Sequence, residues 1–152
     1  MLHLTTEQFQ RIVEQGRAGK PLEICGLMAG TRTGDAQNEV TQVIEVYPIE
    51  SEDKSALTYT MNPLQQLRVE KEVQARGLQV VGIYHTHPAT QAYPSPTDVA
   101  QAHWGEWDDL RFPGYSYLIV SLRDPEQPEP HSFKIIGRRI PEDILEEPVV
   151  IA

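Results

Sequence analysis

Residues 78–98 write three pieces of structure in a row and place histidines at the first joint. Leu78 to Tyr84 is a nearly continuous apolar run, the pattern of a strand buried on both faces. His85-Thr86-His87 continues it, and side chains two apart on a strand share a face. After the loop Pro88–Pro94, Ser95-Pro96-Thr97-Asp98 reads as a helix start. Ser95 takes the cap, Pro96 the first position, and Asp98 the positive end of the helix dipole. The expectation is a sheet whose strand end lies against a helix N-terminus.

Two imidazoles and a carboxylate in one place make a zinc ligand set. Ring nitrogens bind zinc at about 2.0–2.1 Å, and three protein ligands leave the fourth tetrahedral position to water, as in catalytic sites. Cys25 is the only cysteine, so neither a cysteine-rich zinc module nor an intrachain disulfide can form. These residues suggest a zinc hydrolase. On the residues alone two plainer readings stay open: the histidines cap a sheet end, and Asp98 completes only its helix cap.

A chain of 152 residues is one domain by length, and 39% hydrophobic with 23% charged content is globular. The net charge of −9 argues against phosphate-backbone binding and against docking on anionic lipid. Met1 to Glu7 lacks the basic and apolar regions of a signal peptide, and no apolar stretch would span a bilayer, so a cytoplasmic protein is expected.

The remaining pattern predicts a helix capped at Thr5 or Thr6 and ended by Lys20, then strands over Ile24–Ala29 and Val40–Tyr47. Leu57–Met61 reads as a short strand. A second helix starts at Pro63 behind the Asn62 cap, with Leu64, Leu67, Val69 and Val73 on its buried side. Closing strands are expected at Ser116–Leu122 and Ser132–Ile136. Residues 138–152 are charged and proline-broken, and read as a tail draped over the surface. Cys25 reads as a core residue rather than a nucleophile. His103, Trp104 and Trp107 read as surface and rim packing, or as the wall of a substrate groove.

The spacing His85-x-His87, seven residues, Ser95, two residues, Asp98 resembles the signature of the JAMM, or MPN+ (Mov34-type), zinc metalloproteases. Pro21-Leu22-Glu23-Ile24-Cys25-Gly26-Leu27 looks like the family's upstream Glu-x-Cys-Gly-Leu segment, and Gly82-Ile83-Tyr84 and Asn62-Pro63 are also similar. Thr86 stands where the family usually has serine. The resemblance covers residues 1–137 and leaves 138–152 outside.

It implies an α/β (α+β) fold: a single-domain mixed sheet flanked by helices, of cytidine-deaminase-like architecture. It implies one zinc ion per chain on His85, His87 and Asp98, with Glu23 as general base and acid and Ser95 as oxyanion stabiliser. A zinc nucleobase deaminase would need a Pro-Cys-x-x-Cys pair that one cysteine cannot supply. The implied activity is a stand-alone prokaryotic metallopeptidase acting at the Gly-Gly tail of a ubiquitin-like or sulfur-carrier protein. The alternative is a non-catalytic metal-binding interaction module of the same fold.

Overall fold

A computed structural model describes residues 1–152. The chain runs β1 (Leu2–Leu4), α1 (Thr6–Gly19), β2 (Cys25–Thr33), β3 (Val40–Ile49), α2 (Pro63–Ala75), β4 (Gln79–His87), α3 (Pro96–Gln101), β5 (Ser116–Ser121), β6 (Glu129–Ile135), β7 (Ile144–Glu147) and β8 (Val149–Ile151). All eight strands form one sheet in the order β7-β6-β5-β4-β2-β3-β1-β8. The pairs β4–β5, β1–β3 and β1–β8 are parallel and the others antiparallel. The fold is therefore the expected single-domain mixed sheet flanked by helices.

Each helix begins where its capping chemistry dictates. Thr5 closes a full capping box with Gln8 at the start of α1. The Asn62 side chain accepts the Gln65 N–H ahead of Pro63. Both faces of the sheet are buried. On one, Ile12 and Val13 of α1 pack with Leu2, Met28, Val43, Tyr84 and Leu118. On the other, Val99 and Ala102 pack with Cys25, Leu27, Ile83, Ile119 and Phe133. A β-bulge decides which β4 side chains face which way. Met28 pairs with Gly82 but Ala29 pairs with Val80, so Val81 is the extra residue. Ile83 consequently joins the face covered by α2 and α3, and His85 and His87 follow it in strand alternation.

Several expectations are corrected. Leu57–Met61 is not a strand; only a single bridge, Met61 to Ser51, forms there. Of the four residues assigned to the buried side of α2, Leu64 and Leu67 are exposed, at 71% and 47%. At 100° per residue they lie on the face opposite Val69 and Val73, and the core took the valine face. The segment 138–152 does not drape over the surface: β7 and β8 are the two outer strands of the sheet. Only Pro148 separates these strands in sequence, so the sheet curls until its two edges meet. Three- and four-residue strands carry too few positions for periodicity to show them, and β1 escapes notice for the same reason.

Candidate metal centre

β4 is held on both sides at the point where the histidines emerge. Cys25 pairs with His85 from β2, and Ile119 and Ser121 pair with His85 and His87 from β5. Both imidazoles and the Asp98 carboxylate are buried. The two Nε2 atoms lie 3.1 Å apart, and each is 3.2 Å from the same oxygen, Oδ2 of Asp98. His87 is oriented by the Gln91 carbonyl, 2.8 Å from Nδ1. A carbonyl only accepts, so Nδ1 carries the hydrogen, and in the neutral ring Nε2 presents a lone pair. His85 packs against Tyr59, ring centres 4.5 Å apart.

Asp98 is both cap and site residue. Its N–H donates to the Ser95 hydroxyl at 3.1 Å, while its Oδ2 accepts the Ser95 N–H at 2.9 Å. The helix cap thus aims the same oxygen at the histidines. Burial alone would raise the Asp98 pKa, but the charge and hydrogen bond of His85, then the hydrogen bonds of His87 and Ser95, hold it well below the carboxylate range. Burial likewise opposes charge on His87, yet hydrogen bonds to Asp98 and the Gln91 carbonyl raise its pKa.

These donors fit a metal. Ligand atoms about 2.0–2.1 Å from a tetrahedral ion stand roughly 3.3–3.4 Å from one another. The three atoms here approach that spacing, at 3.1 to 3.2 Å. A lone pair facing a carboxylate oxygen at that distance repels unless a proton or cation is shared. The set His85, His87 and Asp98 could therefore hold an ion.

Glu23 reaches this place by a different route. It sits between α1 and β2, where its N–H donates to the Ser55 carbonyl at 2.8 Å. The next residue is clasped by β4: the Ile24 N–H donates to the Thr86 hydroxyl, and the Thr86 N–H donates to the Ile24 carbonyl, both at 3.1 Å. Thr86, between the histidines, faces away from them as expected, and its hydroxyl ties the Glu23 segment to the strand that carries them. The Glu23 carboxyl is buried and its Oε1 has no partner. Burial, then the neighbouring Asp98 charge, pushes its pKa up to about 8.

All five residues singled out in the sequence are placed: three converge, Ser95 joins them through the cap, and Glu23 borders them. Sequence reasoning missed Tyr59, Gln91 and the Thr86 tether. Gln91 acts through its backbone carbonyl, so its identity carries no signal. Cys25 is the core residue expected. Its thiol lies 3.4 Å from the Ile49 carbonyl, and burial, then the Glu23 charge, pushes its pKa to about 12. His103 is buried rather than at the surface, with Nδ1 2.7 Å from the Val99 carbonyl, while Trp104 and Trp107 are exposed.

The chain is similar to known proteins over most of its length. The family model for prokaryotic homologues of the JAB domain matches residues 5–136. A CysO-cysteine peptidase of Mycobacterium tuberculosis (strain ATCC 25618 / H37Rv) is 29% identical over 143 residues, covering 94% of this chain and 88% of its own. A desampylase of Haloferax volcanii is 35% identical over 108 residues, covering 70% and 68%. A solution structure from Desulfitobacterium hafniense superposes with a TM-score of 0.82 at 34% identity, covering 100% of this chain and 93% of that one.

Proposed function

The chain belongs to the prokaryotic JAB-domain homologues of the JAMM metallopeptidase family, and from that premise we propose that it is a zinc peptidase acting on a protein tail. Its substrate is the peptide or isopeptide bond at the C-terminal tail of a ubiquitin-like or sulfur-carrier protein. The observation that carries this is the convergence of His85 Nε2, His87 Nε2 and Asp98 Oδ2 beside the buried, unpartnered Glu23 carboxyl. Two relatives, a CysO-cysteine peptidase and a desampylase, support the substrate class.

His85, His87 and Asp98 would hold one zinc ion. When bound, the ion supplies Lewis acidity and lowers the pKa of a coordinated water to about 7. Glu23 does the proton work. Its free Oε1 takes a proton from the attacking water and returns it to the leaving amine. The Ser95 hydroxyl accepts the Asp98 N–H and keeps its own proton unused, free to donate to the oxyanion on the scissile carbonyl. Tyr59, itself buried, packs against the His85 ring and helps to hold it in place. The tail binds in an extended conformation, with backbone hydrogen bonds supplying affinity and the bare Gly-Gly backbone able to approach the site closely.

The test joins metal analysis with cleavage of carrier proteins ending in Gly-Gly-X. The purified protein is expected to hold about one zinc per chain and to cleave. Glu23→Gln should keep the metal and lose activity by about 10²-fold or more, whereas His87→Ala should lose the metal too. Unchanged turnover in Glu23→Gln would sink the mechanism. Zinc held without cleavage of any carrier would point to a metal-binding interaction module.

A further inference from the structure

One cation beside the site has no use in the mechanism. Arg11, Arg32, Arg76, Arg123, Arg138 and Arg139 each lie within 4.0 Å of a carboxylate, and Arg17 donates to the Pro125 carbonyl. Arg111 has neither kind of partner. Its guanidinium lies instead 5.1 Å from the centre of the Trp104 ring and 5.2 Å from that of Phe112. Two aromatic rings hold it in place and leave its charge and its donors unspent. Arg68, on α2, also has neither kind of partner, but no aromatic ring holds it.

Arg111 also lines a cavity of about 110 Å³ that adjoins the candidate metal centre. Asp98, Gln101, Phe112 and Ile83 line it. That volume accommodates a carboxylate or a small side chain, not a folded body. Tyr59 and Tyr117 line it as well, and neither hydroxyl is hydrogen-bonded within the protein. Of the Asp98 carboxylate, Oδ2 is taken up by the histidines and the Ser95 N–H.

We propose that Arg111 is a specificity-determining residue whose guanidinium binds a free carboxylate of the substrate in the cavity beside Asp98. This rests on the hydrolase function proposed above and narrows it. The substrate carries an anionic group within a residue or two of the scissile bond. The carboxylate comes either from the C-terminus of a short leaving segment or from an acidic side chain in it. A guanidinium–carboxylate pair at a partly exposed site gives discrimination on the order of tenfold.

Three peptides distinguish the sources, with the zinc-loaded protein cleaving after Gly-Gly in each. One ends in Gly-Gly-Ala with a free carboxylate, one in Gly-Gly-Ala carboxamide, one in Gly-Gly-Asp carboxamide. Preference for the first over the second, of about tenfold in kcat/KM, assigns the terminal carboxylate; preference for the third over the second assigns the side chain. In either case Arg111→Met should bring the ratio to about one, Arg111→Lys should keep part of it, and Arg68→Met should leave it at the wild-type value. Arg68, on α2, does not line the cavity. Equal cleavage of all three by the wild type, or a preference that survives Arg111→Met, overturns the proposal while leaving the peptidase function standing.

If none is cleaved, the functional reading fails, and binding decides the role of Arg111 separately. The chain's only two tryptophans are Trp104, stacked on Arg111, and Trp107, so intrinsic fluorescence reports on that loop. Glycyl-alanine should perturb it at lower concentration than glycyl-alaninamide in the wild type and not in Arg111→Met. The same response to both peptides overturns carboxylate binding.

Discussion

Thr86 is the residue on which the site's assembly turns. Its backbone belongs to the strand that presents the histidines, and its hydroxyl and N–H hold Ile24, one residue from Glu23. Thr86→Val preserves shape and deletes one hydrogen bond, leaving the Ile24 N–H unpaired. The expected loss is about 1–2 kcal/mol of stability by chemical denaturation. Zinc content should be unchanged and kcat reduced, with Thr86→Ser restoring kcat and stability. A second prediction comes from Glu23. Its folded pKa, about 8, lies above the ordinary glutamate value of 4.5. Stability from the protonated form is complete below 4.5 and is lost as pH rises towards 8. The melting temperature of metal-stripped protein should therefore fall over that window, and the fall should be smaller in Glu23→Gln. Bound zinc should flatten it, since a cation reverses the local preference for the neutral acid.

At the scale of elements, close packing of α1 on the sheet transmits order to the site. Gly16 is the contact point. A Cβ placed there would lie 2.7 Å from Leu122 Cδ1 and 2.8 Å from Thr86 Cγ2. Both atoms belong to a buried layer with little room to retreat. Gly16→Ala gains helix propensity worth about 1 kcal/mol, yet overpacking of about 1–3 kcal/mol should outweigh it. A lower melting temperature together with reduced activity is expected; a stabilised, fully active variant would show that α1 yields freely. The third helix is a contrasting case. It has only six residues, and the Ser95–Asp98 capping box that starts it is also the device that aims Asp98.

For the whole molecule, closure of the sheet joins the two ends of the chain. β8 pairs with β1, the Leu2 N–H donates to the Pro148 carbonyl at 2.8 Å, and the Ala152 N–H donates to the Leu4 carbonyl at 3.1 Å. Ile144 of β7 is part of the core beneath α3. Deleting residues 144–152 would expose the β1 edge and remove that side chain, which by itself is worth about 2 kcal/mol or more. The truncated protein should unfold at clearly lower denaturant concentration and tend to aggregate through its open edges. Unchanged stability would make residues 138–152 the dispensable tail that their composition suggests.

The sequence by itself determined what short-range rules govern. Alternation on a strand puts His85 and His87 on one side, and the cap chemistry of Ser95 and Asp98 starts a helix; both are settled within a few residues. It also held the Glu23 segment as a match to a family pattern, without any physical means of bringing it near. Long-range packing decided the rest. The Val81 bulge chose the face on which the histidines emerge, and Thr86 drew Glu23 across 62 residues of chain to meet them. The valine face of α2 displaced its leucines from the core, and β7 and β8 became the sheet's outer strands. Tyr59 and Arg111 gained their positions only when separate loops met at one cavity. Such choices weigh burial and pairing between segments far apart in the chain, and no local pattern encodes which of the competing surfaces will be covered.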